Sequence, residues 1–266
     1  MKELSLFSGA GGGLLATKHL LGWECKGYVE YNEYCQKVLI QRIKDGYLDA
    51  APIFGDINEF ISEGYAGSYQ GMVDVITGGF PCQPFSVAGK QAGENDPRNM
   101  WPQTRDTIGI VRPRYIFLEN VSGLLSHAYI WAILSDITKM GYDCRWGIVG
   151  AGDISAPHKR ERVWVVGVNS RCNKCNSFKA VSGVTEEAKA CRVLQGFLLQ
   201  EGKKNNSELW SIDQLSSFQR MAHGVAHRVD RLKAIGNGQV PAVAALAWQI
   251  LSQEVFDFTN EKLKSR

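Results

Sequence analysis

Apolar positions along the chain fall into short runs bounded by glycine, proline and asparagine, with longer stretches of helical period between them. Leu4–Phe7, Lys26–Val29, Val73–Ile76, Tyr115–Leu118, Tyr142–Val149 and Val163–Val168 read as strands, and Phe54 to Ile57 as a further strand end. Glu33 to about Lys44, Trp101–Val111, Ala128–Met140 and Ala242–Leu251 read as helices, the last with Pro241 near its first position. Strands alternating with helices predict an α/β, doubly wound, mostly parallel sheet. From Asn169 to about Ser217 the periodicity is lost and Asn, Ser, Gly and Lys accumulate. Residues 1–168 and 218–266 are therefore expected to form one body, with 169–217 a small irregular insert.

Composition adds three limits. A chain of 266 residues with 44% hydrophobic and 21% charged positions can bury a sizeable core and suits a globular enzyme. The net charge is only +3, but Arg171–Lys204 holds seven Lys or Arg against three Glu, a basic module on a near-neutral body that suits a polyanion. Seven cysteines show no disulfide-framework spacing, and the opening MKELSLFSGAGG shows no secretory pattern, so a reducing cytoplasm is expected. No apolar run approaches the ~20 residues of a membrane span.

The densest chemistry lies in GGFPCQPFS, residues 78 to 86, directly after the Val73–Ile76 strand. Pro81 and Pro84 bracket Cys82 and hold its backbone out of helix, at the strand end where open α/β sheets carry their chemistry. Position 85 is Phe and His-x-Glu does not occur, which excludes a Cys-x-x-Cys redox pair and a zinc deaminase. An isolated nucleophile remains. Upstream, the glycine-rich turn Ser8–Gly13 joins a strand to a helix, and Glu30 ends the next strand about 20 residues later, the pairing that holds an adenosine-type cofactor by its ribose. Asp56 either accepts from an adenine amino group or caps the helix that follows. Glu119 ends its own strand, on the same rim as Cys82.

With these elements in place the sequence resembles the DNA cytosine-5 methyltransferases, bacterial or phage type. The resemblance rests on Leu6-Phe7-Ser8-Gly9-Ala10-Gly11-Gly12, Glu30, Gly55-Asp56-Ile57, GGFPCQPFS, Glu119-Asn120-Val121, Arg160-Glu161-Arg162 and Gly236-Asn237-Gly238, in that order. It implies a Rossmann-like methyltransferase fold, S-adenosylmethionine as methyl donor, double-stranded DNA as substrate and a base rotated out of the helix. It further implies Cys82 as covalent nucleophile, Glu119 as the carboxyl beside the ring, and Arg160 and Arg162 as guanidinium groups holding the base. Phe7, Gly9, Gly11, Glu30, Asp56, Ile57 and Asn237 would line the donor, and Ser86 and Arg98 are candidates for phosphate contacts. Ser5 stands where the family often has an acid and His158 where it usually has glutamine. An insert of about 50 residues is short for a target-recognition region.

Two rival readings stay open from sequence: a tRNA cytosine-5 methyltransferase on the same core, and a DNA-binding module without turnover. Cys172, Cys175 and Cys191 lack a fourth ligand at structural zinc spacing, so no metal is expected. The chain is expected to act as a monomer or weak dimer, since a small module reads only a short site.

Overall fold

The computed structural model describes residues 1–81 and 99–170, positions 230, 234 and 236, and residues 238–263, with side chains up to 252. Its framework is a seven-stranded sheet in the order β3-β2-β1-β4-β5-β7-β6. The strands are β1 (Lys2–Leu6), β2 (Glu24–Val29), β3 (Ile53–Phe54), β4 (Val75–Gly78), β5 (Tyr115–Val121), β6 (Tyr142–Val149) and β7 (Arg162–Asn169). β1 to β5 pair in parallel, and β7 runs antiparallel between β5 and β6. The order reverses beside β1 and β4, so their carboxyl ends open a crevice where such sheets bind ligands.

Between the strands run α1 (Gly12–Leu15), which continues as a π-helical turn at Ala16–Leu20, then α2 (Glu33–Lys44), α3 (Ile57–Ser62) and α4 (Tyr65–Ser68). α5 (Trp101–Val111), α6 (Tyr129–Lys139) and α7 (Pro241–Leu263) complete the set. None of the described helices is long and apolar enough to cross a membrane.

Both faces of the sheet are covered, and period-two alternation decides which residue goes where. On β5, Ile116 and Leu118 enter one core with Phe60, Trp101, Ile108 and Ile133. Tyr115 and Phe117 enter the other, against Val243, Leu246 and Trp248 of α7. The same alternation carries forward, placing Glu119 on the α7 side and Asn120 on the opposite side. On β1 it turns Leu4 and Leu6 to the first core and leaves Glu3 and Ser5 on the α7 face. A third cluster of Leu14, Cys25, Tyr28, Leu39 and Leu48 seats α2 against β2.

The predicted elements recur, α2 and β6 with matching bounds, while α7 runs twelve residues past the expected Leu251, to Leu263. The sequence reading held no indication that β7 slots antiparallel between β5 and β6, because strand order is set by pairing and not by local pattern. β7 also runs through Asn169, one residue into the expected insert, since Asn169 pairs with Tyr142. The remaining insert positions, 171–217, lie outside the described residues.

Candidate active site

The glycine turn comes first. β1 ends at Leu6, Phe7 takes a left-handed φ of 52°, and Gly9 and Gly11 follow at 56° and 88°. A bulky residue in that region is strained, a cost that tends to be retained at functional positions. A Cβ on Gly9 would meet nothing within 4 Å, so the turn leaves open space there, whereas Gly11 packs on Leu39 and Leu48. The turn is braced from below by Ser8, whose hydroxyl donates to the Ser5 carbonyl at 3.1 Å.

Glu30 lies across this turn. Its carboxylate accepts the Gly9 N–H at 2.6 Å on one oxygen and the Asn32 N–H at 2.8 Å on the other. Burial pushes its pKa up, and those two backbone donors oppose the rise. Each oxygen keeps a lone pair, so the group can accept two vicinal hydroxyls. Beside it Tyr31 is 79% exposed, a flat apolar face that the sequence reading passed over, lining a neighbouring groove with Asn32, Gly55 and Asp56. Asp56 is the N-cap of α3, accepting the Asn58 N–H at 2.7 Å, so its capping role is realised. Ile57 is buried in the first core.

Glu119 is the second focus. It stands at the carboxyl end of β5, buried, and its Oε1 accepts the Arg162 Nε–H at 2.9 Å. Gln239 faces its Oε2, Nε2 at 3.4 Å. Burial raises the carboxyl pKa, while Arg162, Gln239 and then Arg160 oppose that rise. Arg162 opens β7 opposite Val121 and so shares the α7 face with Glu119.

Arg160 is placed differently from a strand residue. It precedes β7 with a left-handed φ of 36°, and its Nη2 donates to the carbonyls of Gly236 and Gly238 at 2.7 and 2.5 Å. Alternation along a strand therefore does not govern it. Among the described residues four non-glycine residues have positive φ, and two of them, Phe7 and Arg160, stand at the glycine turn and at the 236–238 turn. The other two, Arg112 and Ser155, follow helical segments directly.

The approach to Cys82 is described up to Pro81. Phe80 is 5% exposed and lies against Trp101 with ring centroids 5.5 Å apart. The Asn120 amide donates to the Phe80 carbonyl at 3.1 Å, fixing the backbone just before the loop. Gly79 sits so close to Glu119 that a Cβ there would be 2.7 Å from Oε2. Gly78 and Gly79 therefore bring the segment leading to Cys82 and the carboxyl of Glu119 to one place. Cys82, Ser86, Arg98 and Asn237 themselves lie outside the described residues. Of the other thiols, burial pushes Cys35 and Cys144 up to about 11 and Cys25 well above its ordinary value, which keeps all three protonated and unreactive.

A single cavity joins the two foci, lined by Phe7, Gly9, Gly12 and Gly13 at one end and Gly79, Glu119 and Gln239 at the other. Among the described residues no group of His, Cys, Asp or Glu could hold a metal ion.

Residues 1–247 match the model of the C-5 cytosine-specific DNA methylases. The chain belongs to that family. This family member is 31% identical over 214 residues, 79% of its length, to the type II methyltransferase M.NgoMIV of Neisseria gonorrhoeae, covering 64% of that protein. It is 33% identical over 178 residues, 65% of its length, to M.DsaV of Dactylococcopsis salina, covering 47% of that protein. The methylase-family chain thus spans about half to two thirds of the length of these relatives. Among solved structures it resembles a DNA modification methyltransferase encoded within an Escherichia coli prophage, at TM-score 0.51 and 23% identity over 71% of this chain and 50% of that one. It also resembles Spodoptera frugiperda DNMT2, at TM-score 0.51 and 20% identity over 70% and 55%. These two likenesses show the Rossmann-like fold.

Asn120, Gln239 and Tyr31 are site residues to which sequence reasoning gave no role. Asn120 stood inside a motif and Gln239 directly after one, but nothing local announces that an amide will reach across the sheet. Tyr31 was findable as an aromatic directly after the strand-end carboxylate.

Proposed function

We propose that the chain transfers a methyl group from S-adenosylmethionine to carbon 5 of cytosine in double-stranded DNA, through a covalent adduct on Cys82. The observation that carries this reading is one cavity that runs from the glycine turn to a buried carboxyl clasped by an arginine, beside the segment leading into Pro81-Cys82. That cavity brings the glycine turn, the carboxyl and the strand end before Pro81 onto one space.

The donor residues fit an adenosine-type group. Glu30 has acceptor capacity for ribose hydroxyls, Tyr31 offers a stacking face for adenine, and the open side of Gly9 leaves room for the amino-acid portion. Phe7, Gly11, Asp56 and Ile57 complete that wall, with Asn237 toward the methionine end. When bound, the donor supplies an electrophilic methyl on a sulfonium.

Cytosine carbon 5 is too weak a nucleophile to take that methyl unaided. Addition of the Cys82 thiolate to carbon 6 breaks the 5,6 double bond and moves its electron pair toward carbon 5 and the ring. Glu119, with a raised pKa, can give a proton to ring nitrogen 3 and offset that charge. Carbon 5 then attacks the methyl. Loss of its hydrogen to water or hydroxide restores the double bond and expels the thiolate, and the proton on ring nitrogen 3 returns to Glu119. Arg162 keeps Glu119 oriented, and Arg160 secures the 236–238 turn beside it.

A base in a duplex lies out of reach of this crevice, so it must be rotated out of the stack. Ser86 and Arg98 are assigned phosphate contacts that hold it out, and the basic 171–204 segment is assigned to contact the duplex.

Incubation with radiolabelled donor and mixed-sequence duplex, followed by bisulfite sequencing, tests this. Label should enter cytosine, and Cys82→Ser should lower the rate by at least about 1,000-fold. A duplex carrying 5-fluorocytosine should trap wild-type protein covalently. Label in DNA that persists undiminished in Cys82→Ser would refute the covalent route.

A further inference from the structure

The contacts of Gln239 reach beyond Glu119. Its backbone carbonyl would lie 2.5 Å from a Cβ on Gly12, and its side-chain Oε1 would lie 2.3 Å from a Cβ on Gly13. Its Nε2 would be 3.3 Å from a Cβ on Gly79 and stands 3.4 Å from Glu119 Oε2. One amide therefore has its oxygen over the glycine turn and its nitrogen over the carboxyl. Glycine at 12, 13 and 79 is what gives it room.

We propose that Gln239 is a positioning residue that sets the protonation state of Glu119 and ties that carboxyl to the glycine turn. This rests on the methyltransferase reading for its purpose, not for its geometry.

The argument is one of donors and acceptors. Arg162 can only donate, and it occupies Oε1. Oε2 must receive a hydrogen bond when Glu119 is ionised and give one when it is protonated. An amide can serve both states, because turning about its last side-chain bond exchanges nitrogen for oxygen. In the orientation observed it donates, which favours the carboxylate. Turned over, it accepts from the carboxylic acid, and its nitrogen is carried toward Gly13. A proton leaving or joining Glu119 is thereby felt at the donor turn. The charged groups facing Glu119 are Arg162 from the start of β7 and Arg160 from the segment before it. A guanidinium carries donors only and no acceptor, so the amide is the neighbour able to follow the proton.

The test is a pH titration of the Glu119 carboxyl by ¹³C NMR on side-chain-labelled protein, in wild type, Gln239→Met and Gln239→Glu. Methionine keeps the volume and removes the hydrogen bond, so the midpoint should rise by about one pH unit. Glutamate adds a like charge and should raise it further. The pH profile of kcat should move by the same amount. A residue that merely fills space would alter melting temperature and KM and leave the midpoint alone. A folded Gln239→Met protein with the wild-type midpoint would overturn the proposal. Should wild type transfer no methyl at all, the proposed function fails, while the NMR midpoints still decide this one.

Discussion

Single atoms decide much of this site. At Gly79 the space for a methyl group is already taken by the Glu119 carboxylate, 2.7 Å from where a Cβ would stand. Gly79→Ala should therefore push the carboxyl off its Arg162 contact while leaving the strands before and after intact. A displacement of about 1 Å at a reacting group costs roughly 100-fold in rate. We expect kcat to fall by about that factor with the melting temperature changed by less than about 4 °C, measured by labelled-methyl transfer and calorimetry. Asn120 acts at the same scale, its amide holding the Phe80 carbonyl so that the chain reaches Pro81 in one direction.

At the scale of elements, β1 carries an unusual burden. Glu3 is 1% exposed on its α7 face, accepts the Thr77 hydroxyl at 2.5 Å on Oε1, and leaves Oε2 without a hydrogen-bond partner among the described residues. Burial pushes its pKa up to about 7 from 4.5, opposed by the hydroxyls of Thr17 and Thr77. Between those two values the folded chain binds more protons than the unfolded one, so stability falls as pH rises, by about 3 kcal/mol in all, and levels off above pH 7. Glu3→Gln removes the titration. Its advantage over wild type in urea unfolding should widen by about 2–3 kcal/mol from pH 5 to pH 8.

The legibility of the elements follows the same physics. β4 and β5 were readable because continuous burial writes itself as an apolar run, and α2 from its helical period, at whose start Asn32 accepts the Cys35 N–H at 3.0 Å. The places of Glu119 and Glu30 at strand ends were readable from the apolar runs that lead into them. The Gln239 contacts were not, since they join residues that only the folded sheet brings together. Nor was Glu3, which sits where the pattern calls for an apolar side chain.

Over the whole molecule, aromatic packing binds the first part of the chain to the last. Trp248 of α7 touches Trp23 with centroids 4.8 Å apart, Phe117 at 5.4 Å and Tyr115 at 5.6 Å. Removing it opens a cavity shared by β5, α7 and Trp23, the residue before β2. Trp248→Ala should cost about 3–5 kcal/mol in urea unfolding, and the transition should stay single if one body is being unfolded.

The glycine turn near the beginning of the sequence and Gln239 near its close meet over one carboxyl. With every described strand of the sheet already delivered by the ribosome, that carboxyl still lacks its amide neighbour until the residues just ahead of α7 emerge.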